Sequence, residues 1–131
     1  MSDQPFIRGV IVGHGEMPRG LVDAVRRIAG DAAEGLEAVS NDAKGPDVLL
    51  RELDAVAGEG PAIVFVDLQS GSCGMAAAYA CRGRTRRAVI CGVNLPMLLD
   101  FVFHRQLAMD DLVARLVESG RAAIRAVPAS R

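Results

Sequence analysis

The chain has 131 residues and a mass of 13.8 kDa, the size of one domain with one packed core (about residues 5–127 of 1–131). Half of it is hydrophobic and 24% is charged, a globular balance that excludes disorder. A formal net charge of −1 gives no whole-chain case for nucleic acid, and no apolar run reaches the roughly 18 residues that span a bilayer.

Residues 6–12 (FIRGVIV) form a short β-branched run that stops at Gly13, which predicts a strand. Pro18 opens a helical pattern through Leu21, Val22, Val25, Ile28 and Ala29, closed by Gly30. Residues 36–39 predict a weaker strand. Pro46 opens a second helix, which ends at Gly58. Residues 62–66 (AIVFV), between Pro61 and Asp67, predict a central strand buried on both faces. Residues 72–82 are Ala-rich and helical, 87–91 predict a fourth strand, and 96–105 and 110–119 predict helices, the last stopped by Gly120. A final short strand is expected over 122–127, and Arg82, Arg84, Arg86 and Arg87 are expected to form a solvated basic turn. Met97, Leu98, Phe101 and Val102 are expected in the core and in dimer contacts. Alternating strands and helices imply an α/β fold with an open, mainly parallel sheet and helices on both faces. Ligands in such sheets bind beyond the carboxyl ends of the strands, where strand order reverses.

Those strand ends therefore carry the functional signal. Gly13-His14-Gly15-Glu16 follows strand 1, Asp67-Leu68-Gln69-Ser70-Gly71-Ser72 follows strand 3, and Gly92-Val93-Asn94 follows strand 4. If strands 1 and 3 are neighbours, His14 and Asp67 touch. An Asp that accepts from one ring nitrogen fixes the tautomer and leaves the other nitrogen nucleophilic. The plainer reading is a turn histidine and a capping carboxylate. Ser70-Gly71-Ser72 at a helix start offers backbone N–H groups, a hydroxyl and a positive dipole end, an anion site or an ordinary cap. Gly13, Gly15 and Asn94 are candidates for lining the same site, and Glu16 reads as a solvated loop carboxylate.

Other chemistries are disfavoured. The glycines miss the G-x-G-x-x-G spacing, the only lysine is Lys44, and Ser70-Gly71-Ser72-Cys73-Gly74 lacks the first glycine of a nucleophile elbow. Cys73, Cys81 and Cys91 show no C-x-x-C and no histidine at ligand spacing, so no metal site is expected. Cys81 and Cys91 read as small buried hydrophobes. Cys73 lies in the turn after Asp67, where a redox or nucleophilic role stands beside the plainer one of a buried hydrophobe.

The segments VIVGHGEMPRGLVDAV, IVFVDLQSGS, GVNLPMLLD and DDLVARLVESGRAAIRAV, spread over most of the chain, resemble the mannose-type enzyme IIA component of the bacterial sugar phosphotransferase system. GVNLPMLLD is the most specific of them. The resemblance implies a cytoplasmic phosphotransferase that works through a phosphohistidine and needs no cofactor. His14 would take a phosphoryl group from the histidine-containing phosphocarrier protein and pass it to a separate IIB protein. Asp67 would orient His14, and Gly71 and Ser72, with Ser70, would cradle the phosphate. The membrane enters only indirectly, through the transporter served. The implied fold is a parallel four-stranded sheet with a fifth, antiparallel strand exchanged in a homodimer, for which residues 122–127 are the segment. Where the family usually carries Gly-Gly-Ser-Pro-Phe-Asn, this chain has Ser70-Gly71-Ser72-Cys73-Gly74-Met75. Two further readings stand beside the relay: a regulatory module whose His14 phosphorylation is read by a partner, and a non-catalytic dimeric binding module.

Overall fold

The computed structural model describes residues 6–128. Four strands, β1 (Arg8–Gly13), β2 (Leu36–Ser40), β3 (Ala62–Val66) and β4 (Arg87–Cys91), form one parallel sheet in the order β2-β1-β3-β4. Five helices alternate with them: α1 (Met17–Ala29), α2 (Pro46–Ala57), α3 (Ser72–Cys81), α4 (Leu95–Val102) and α5 (Met109–Ala122). A 3-10 turn over Gly30–Ala33 joins α1 to β2. Gly30 and Gly58 close their helices at φ values of 59° and 71°, where a side chain would be strained.

The sheet is buried on both faces. Along β3, Ile63 and Phe65 enter one core with residues of α1, α4 and α5, while Ala62, Val64 and Val66 enter the other with residues of α2 and α3. Phe65 meets Phe101 edge-on, with ring centroids 5.1 Å apart. Met97, Leu98, Phe101 and Val102 are all buried, as their helical spacing predicts. The strand order puts the reversal point between β1 and β3, whose Val12 and Val66 are paired. The segments after these two strands therefore emerge side by side.

Five expectations change. Cys81 and Cys91 are not buried hydrophobes: Cys81 is half-buried, and Cys91, the last residue of the edge strand β4, is exposed. Helix α4 ends at Val102 instead of continuing to Arg105. Arg105 leaves the helix because its guanidinium is drawn inward, where it donates to the carbonyls of Ile7, Ala32 and Glu34 and lies 3.3 Å from the Phe6 ring centroid. Burial lowers its pKa to about 10, which leaves it charged at neutral pH. Arg87 is not part of a solvated turn. Its buried side chain donates to the carbonyls of Ala80 and Gly58 and to Asp54, fastening the start of β4 to the ends of α2 and α3. Gly120 does not stop α5. A Cβ there would lie 2.7 Å from the Met97 side chain, so the glycine serves close packing of α5 on α4. Finally, α5 continues through Ala122 and residues 123–128 form no strand within the chain. Ile124 and Val127 stand 78% and 87% exposed, apolar side chains that the described residues leave uncovered.

Candidate functional site

His14 follows β1 directly and Asp67 follows β3 directly, so strand pairing alone brings them together. The Nδ1 of His14 lies 2.6 Å from Oδ2 of Asp67. The same oxygen accepts the backbone N–H of His14 at 3.0 Å, and Oδ1 accepts the N–H of Leu68 at 2.9 Å. Gly13 permits this approach, since a Cβ there would stand 3.1 Å from Oδ2 of Asp67. Burial pushes the Asp67 carboxyl up, but hydrogen bonds from the His14 ring and from two backbone N–H groups outweigh it, and the net shift is downward. An ionised Asp67 accepts from Nδ1–H, so the neutral ring keeps a lone pair on Nε2. The His14 side chain is 51% exposed against 8% for Asp67, so the free nitrogen faces solvent from a fixed base.

Helix α3 begins beside this pair. Gly71 is its N-cap at φ 100°, and no side chain caps the helix. Ser70, Gly71 and Ser72 are exposed. Their first-turn N–H groups and the positive end of the helix dipole thus face outward near His14. Proximity is fixed by Cys73, whose Sγ lies 3.9 Å from Nδ1 of His14. Burial and the Asp67 charge push the Cys73 thiol up, which disfavours a free thiolate and weakens its case as a reactive nucleophile.

The remaining candidates fall elsewhere. Gly15, at φ 59°, turns the chain into α1 with open space around it. Asn94 is absorbed by structure: Oδ1 accepts the Met97 N–H as the N-cap of α4, and Nδ2 donates to the Gly120 carbonyl at 3.0 Å. No hydrogen bond links Asn94 to His14 or Asp67 among the described residues. Glu16 is solvated, its side chain 79% exposed. It pairs with Arg19, whose hydrogen bond and charge hold it below the usual carboxylate range.

Two features escape sequence reasoning. Cys73 comes within reach of a histidine 59 residues away. Gly74, in the first turn of α3, is required by the loop before it: a Cβ there would lie 2.8 Å from the Gln69 carbonyl carbon and well inside contact distance of its oxygen. Backbone cannot swing aside as a side chain can, so Gly74→Ala is expected to cost about 1–3 kcal/mol. A lowered urea midpoint with an unchanged slope would show it; an unchanged midpoint would mean that the loop yields freely.

Comparison with known proteins agrees with the fold. A family model described as the PTS system fructose IIA component matches residues 9–117. No curated protein matches the chain at a significant level. Among solved structures, a phosphotransferase system component EIIA from Streptococcus agalactiae is 25% identical, with a TM-score of 0.85 over 92% of this chain and 96% of that one. The mannose/sorbose specific IIA subunit from Enterococcus faecalis is 22% identical, with a TM-score of 0.85 over 97% and 98% of the two chains.

Proposed function

Because the chain belongs to the family of phosphotransferase-system IIA components, we propose that it is a phosphoryl relay in which Nε2 of His14 is the acceptor. One observation carries this reading: a solvent-facing histidine is held through Nδ1 by a buried, ionised aspartate. In the first step the phosphocarrier protein presents its phosphohistidine. The lone pair of Nε2 attacks phosphorus in line, the P–N bond to the carrier breaks, and its electron pair returns to the carrier imidazole. His14 is left as a phosphorylated ring bearing positive charge, which Asp67 balances through Nδ1–H. The transition state is loose, so the protein's work is positioning and charge stabilisation. The N–H groups at Ser70, Gly71 and Ser72, with the Ser72 hydroxyl, hold the phosphoryl oxygens. A second transfer hands the group to a IIB protein and restores the neutral ring.

The surface around the helix start supports docking of a protein donor. Leu68, Met75 and Tyr79 are 45%, 62% and 51% exposed, side chains carried by α3 and by the loop that leads into it. A homodimer belongs to the same reading: Ile124 and Val127, within the segment that would be exchanged, are exposed, and the outer edge of β4 is unpaired and open to a strand. Among the described residues no helix is long and apolar enough to cross a membrane.

Wild-type protein incubated with enzyme I, phosphocarrier protein and phosphoenolpyruvate is expected to take up one phosphoryl group per chain and to discharge it to a IIB protein. An unlabelled chain overturns the relay. Labelling without discharge to any IIB protein supports the regulatory reading instead.

A further inference from the structure

The hydrogen bond from His14 to Asp67 uses two of three potential ligands that converge at this point. A ring nitrogen of His14, a carboxylate oxygen of Asp67 and Sγ of Cys73 all lie within 4.8 Å of one another, and Nδ1 is 2.6 Å from Oδ2 and 3.9 Å from Sγ. Nitrogen, carboxylate oxygen and sulfur form a mixed donor set that suits zinc and its neighbours and not magnesium or calcium. We propose that these three residues form a site for a zinc-class divalent metal ion, and that an ion bound there switches the His14 nucleophile off.

The dimensions fit. A tetrahedral Zn²⁺, with bonds of about 2.0–2.3 Å, separates its ligand atoms by about 3.3–3.6 Å. Nδ1 and Oδ2 are 2.6 Å apart and need to open by about 0.7–1.0 Å, which a turn of the half-exposed His14 ring supplies. Nδ1 and Sγ are 3.9 Å apart and need to close by about 0.3–0.6 Å. The outer supports are already in place: the His14 N–H on Oδ2 and the Leu68 N–H on Oδ1 keep the carboxylate aimed. The half-exposed His14 side leaves the fourth position to water and gives the ion its entry, although Cys73 itself is buried.

The proton balance makes this site a switch. A neutral imidazole carries one proton. Metal on Nδ1 displaces that proton, which moves through solvent to Nε2, and the Cys73 thiol releases its own proton to solvent, a net loss of one proton per ion. Nε2–H has no lone pair with which to attack phosphorus. Relay and metal binding therefore compete for one ring. The site itself stands apart from the phosphoryl reading, but the switch rests on it.

Cobalt(II) is the probe for the site. Wild-type protein is expected to bind one equivalent, with a thiolate-to-cobalt charge-transfer absorption that zinc abolishes on displacement. Cys73→Ser and Cys73→Ala are expected to lose that absorption and to bind at least about 10-fold more weakly, while Cys91→Ser, altered at an exposed cysteine, keeps it. No such absorption in the wild type, or one that survives in folded Cys73→Ser, overturns the site. For the switch, zinc is expected to slow phosphoryl uptake by the wild type at least about 10-fold and to leave the rate of Cys73→Ser as it is without zinc. Equal rates with and without zinc in a wild type that shows the cobalt absorption overturn the switch. A wild type that shows the absorption but never takes up phosphate keeps the site and removes the relay.

Discussion

His14→Ala is expected to take up no phosphoryl group from the phosphocarrier protein under conditions that label the wild type fully. The substitution removes the only ring nitrogen that faces solvent from an aspartate-held position at the sheet's reversal point. The second histidine does not replace it. His104 follows the C-terminal end of α4, its Nδ1 within hydrogen-bond reach of the Asp100 carbonyl and carboxylate, and no hydrogen bond among the described residues joins it to His14 or Asp67. The fold should survive. His14 is half-exposed, Asp67 keeps its two backbone donors, and the loss is at most that of a hydrogen bond to a charged group, about 1.5–3 kcal/mol. Label retained in folded His14→Ala would place the acceptor elsewhere.

Asp67→Asn is expected to slow phosphoryl uptake by about 10²–10⁴-fold while the protein stays folded. The reason is a count of acceptors. Oδ2 accepts two N–H groups from His14, and Oδ1 accepts one from Leu68. An asparagine has one oxygen for these two places. With the amide nitrogen towards Leu68, two donors face each other, which costs about 1–3 kcal/mol. With the nitrogen towards His14, the amide donates to Nδ1, the ring proton moves to Nε2, and the nucleophile is lost. Either way the charge that balances the phosphorylated ring is gone. The acid limb of stability should change as well. Asp67 ionises below its ordinary value of 3.8, so the folded state gains from the ionised form above that pH and loses the gain as falling pH protonates the carboxylate. The asparagine variant lacks this contribution and should show a shallower loss of stability below that pH. An unchanged uptake rate would remove Asp67 from the mechanism.

Much of this is legible in the sequence for physical reasons. The bounds of β3 and β4 follow from apolar runs too short for helices and fenced by Pro61, Asp67 and Gly92. His14 and Asp67 could be placed because parallel strands in this order release their carboxyl ends together, and local sequence already marks both ends. What stayed hidden depends on packing between distant segments. Arg105 and Arg87 read as helix-end and turn cations, and only tertiary structure supplies the carbonyls that bury them. Gly120 and Gly74 read as a stop and a departure, whereas each admits a close neighbour from another segment. Residues 122–127 carry a strand-like apolar pattern, but within one chain no sheet edge receives them. Cys73 shows no ligand spacing because its neighbour His14 is contributed by the first strand of the sheet.

The most direct measurement is phosphorus and nitrogen NMR on isotopically labelled wild-type protein after reaction with enzyme I, phosphocarrier protein and phosphoenolpyruvate. The expected spectrum shows a single phosphohistidine, at Nε2 of His14, with the proton retained on Nδ1. A phosphoryl group on Nδ1, on His104, or on no histidine at all would contradict the assignment of His14 as an aspartate-held acceptor.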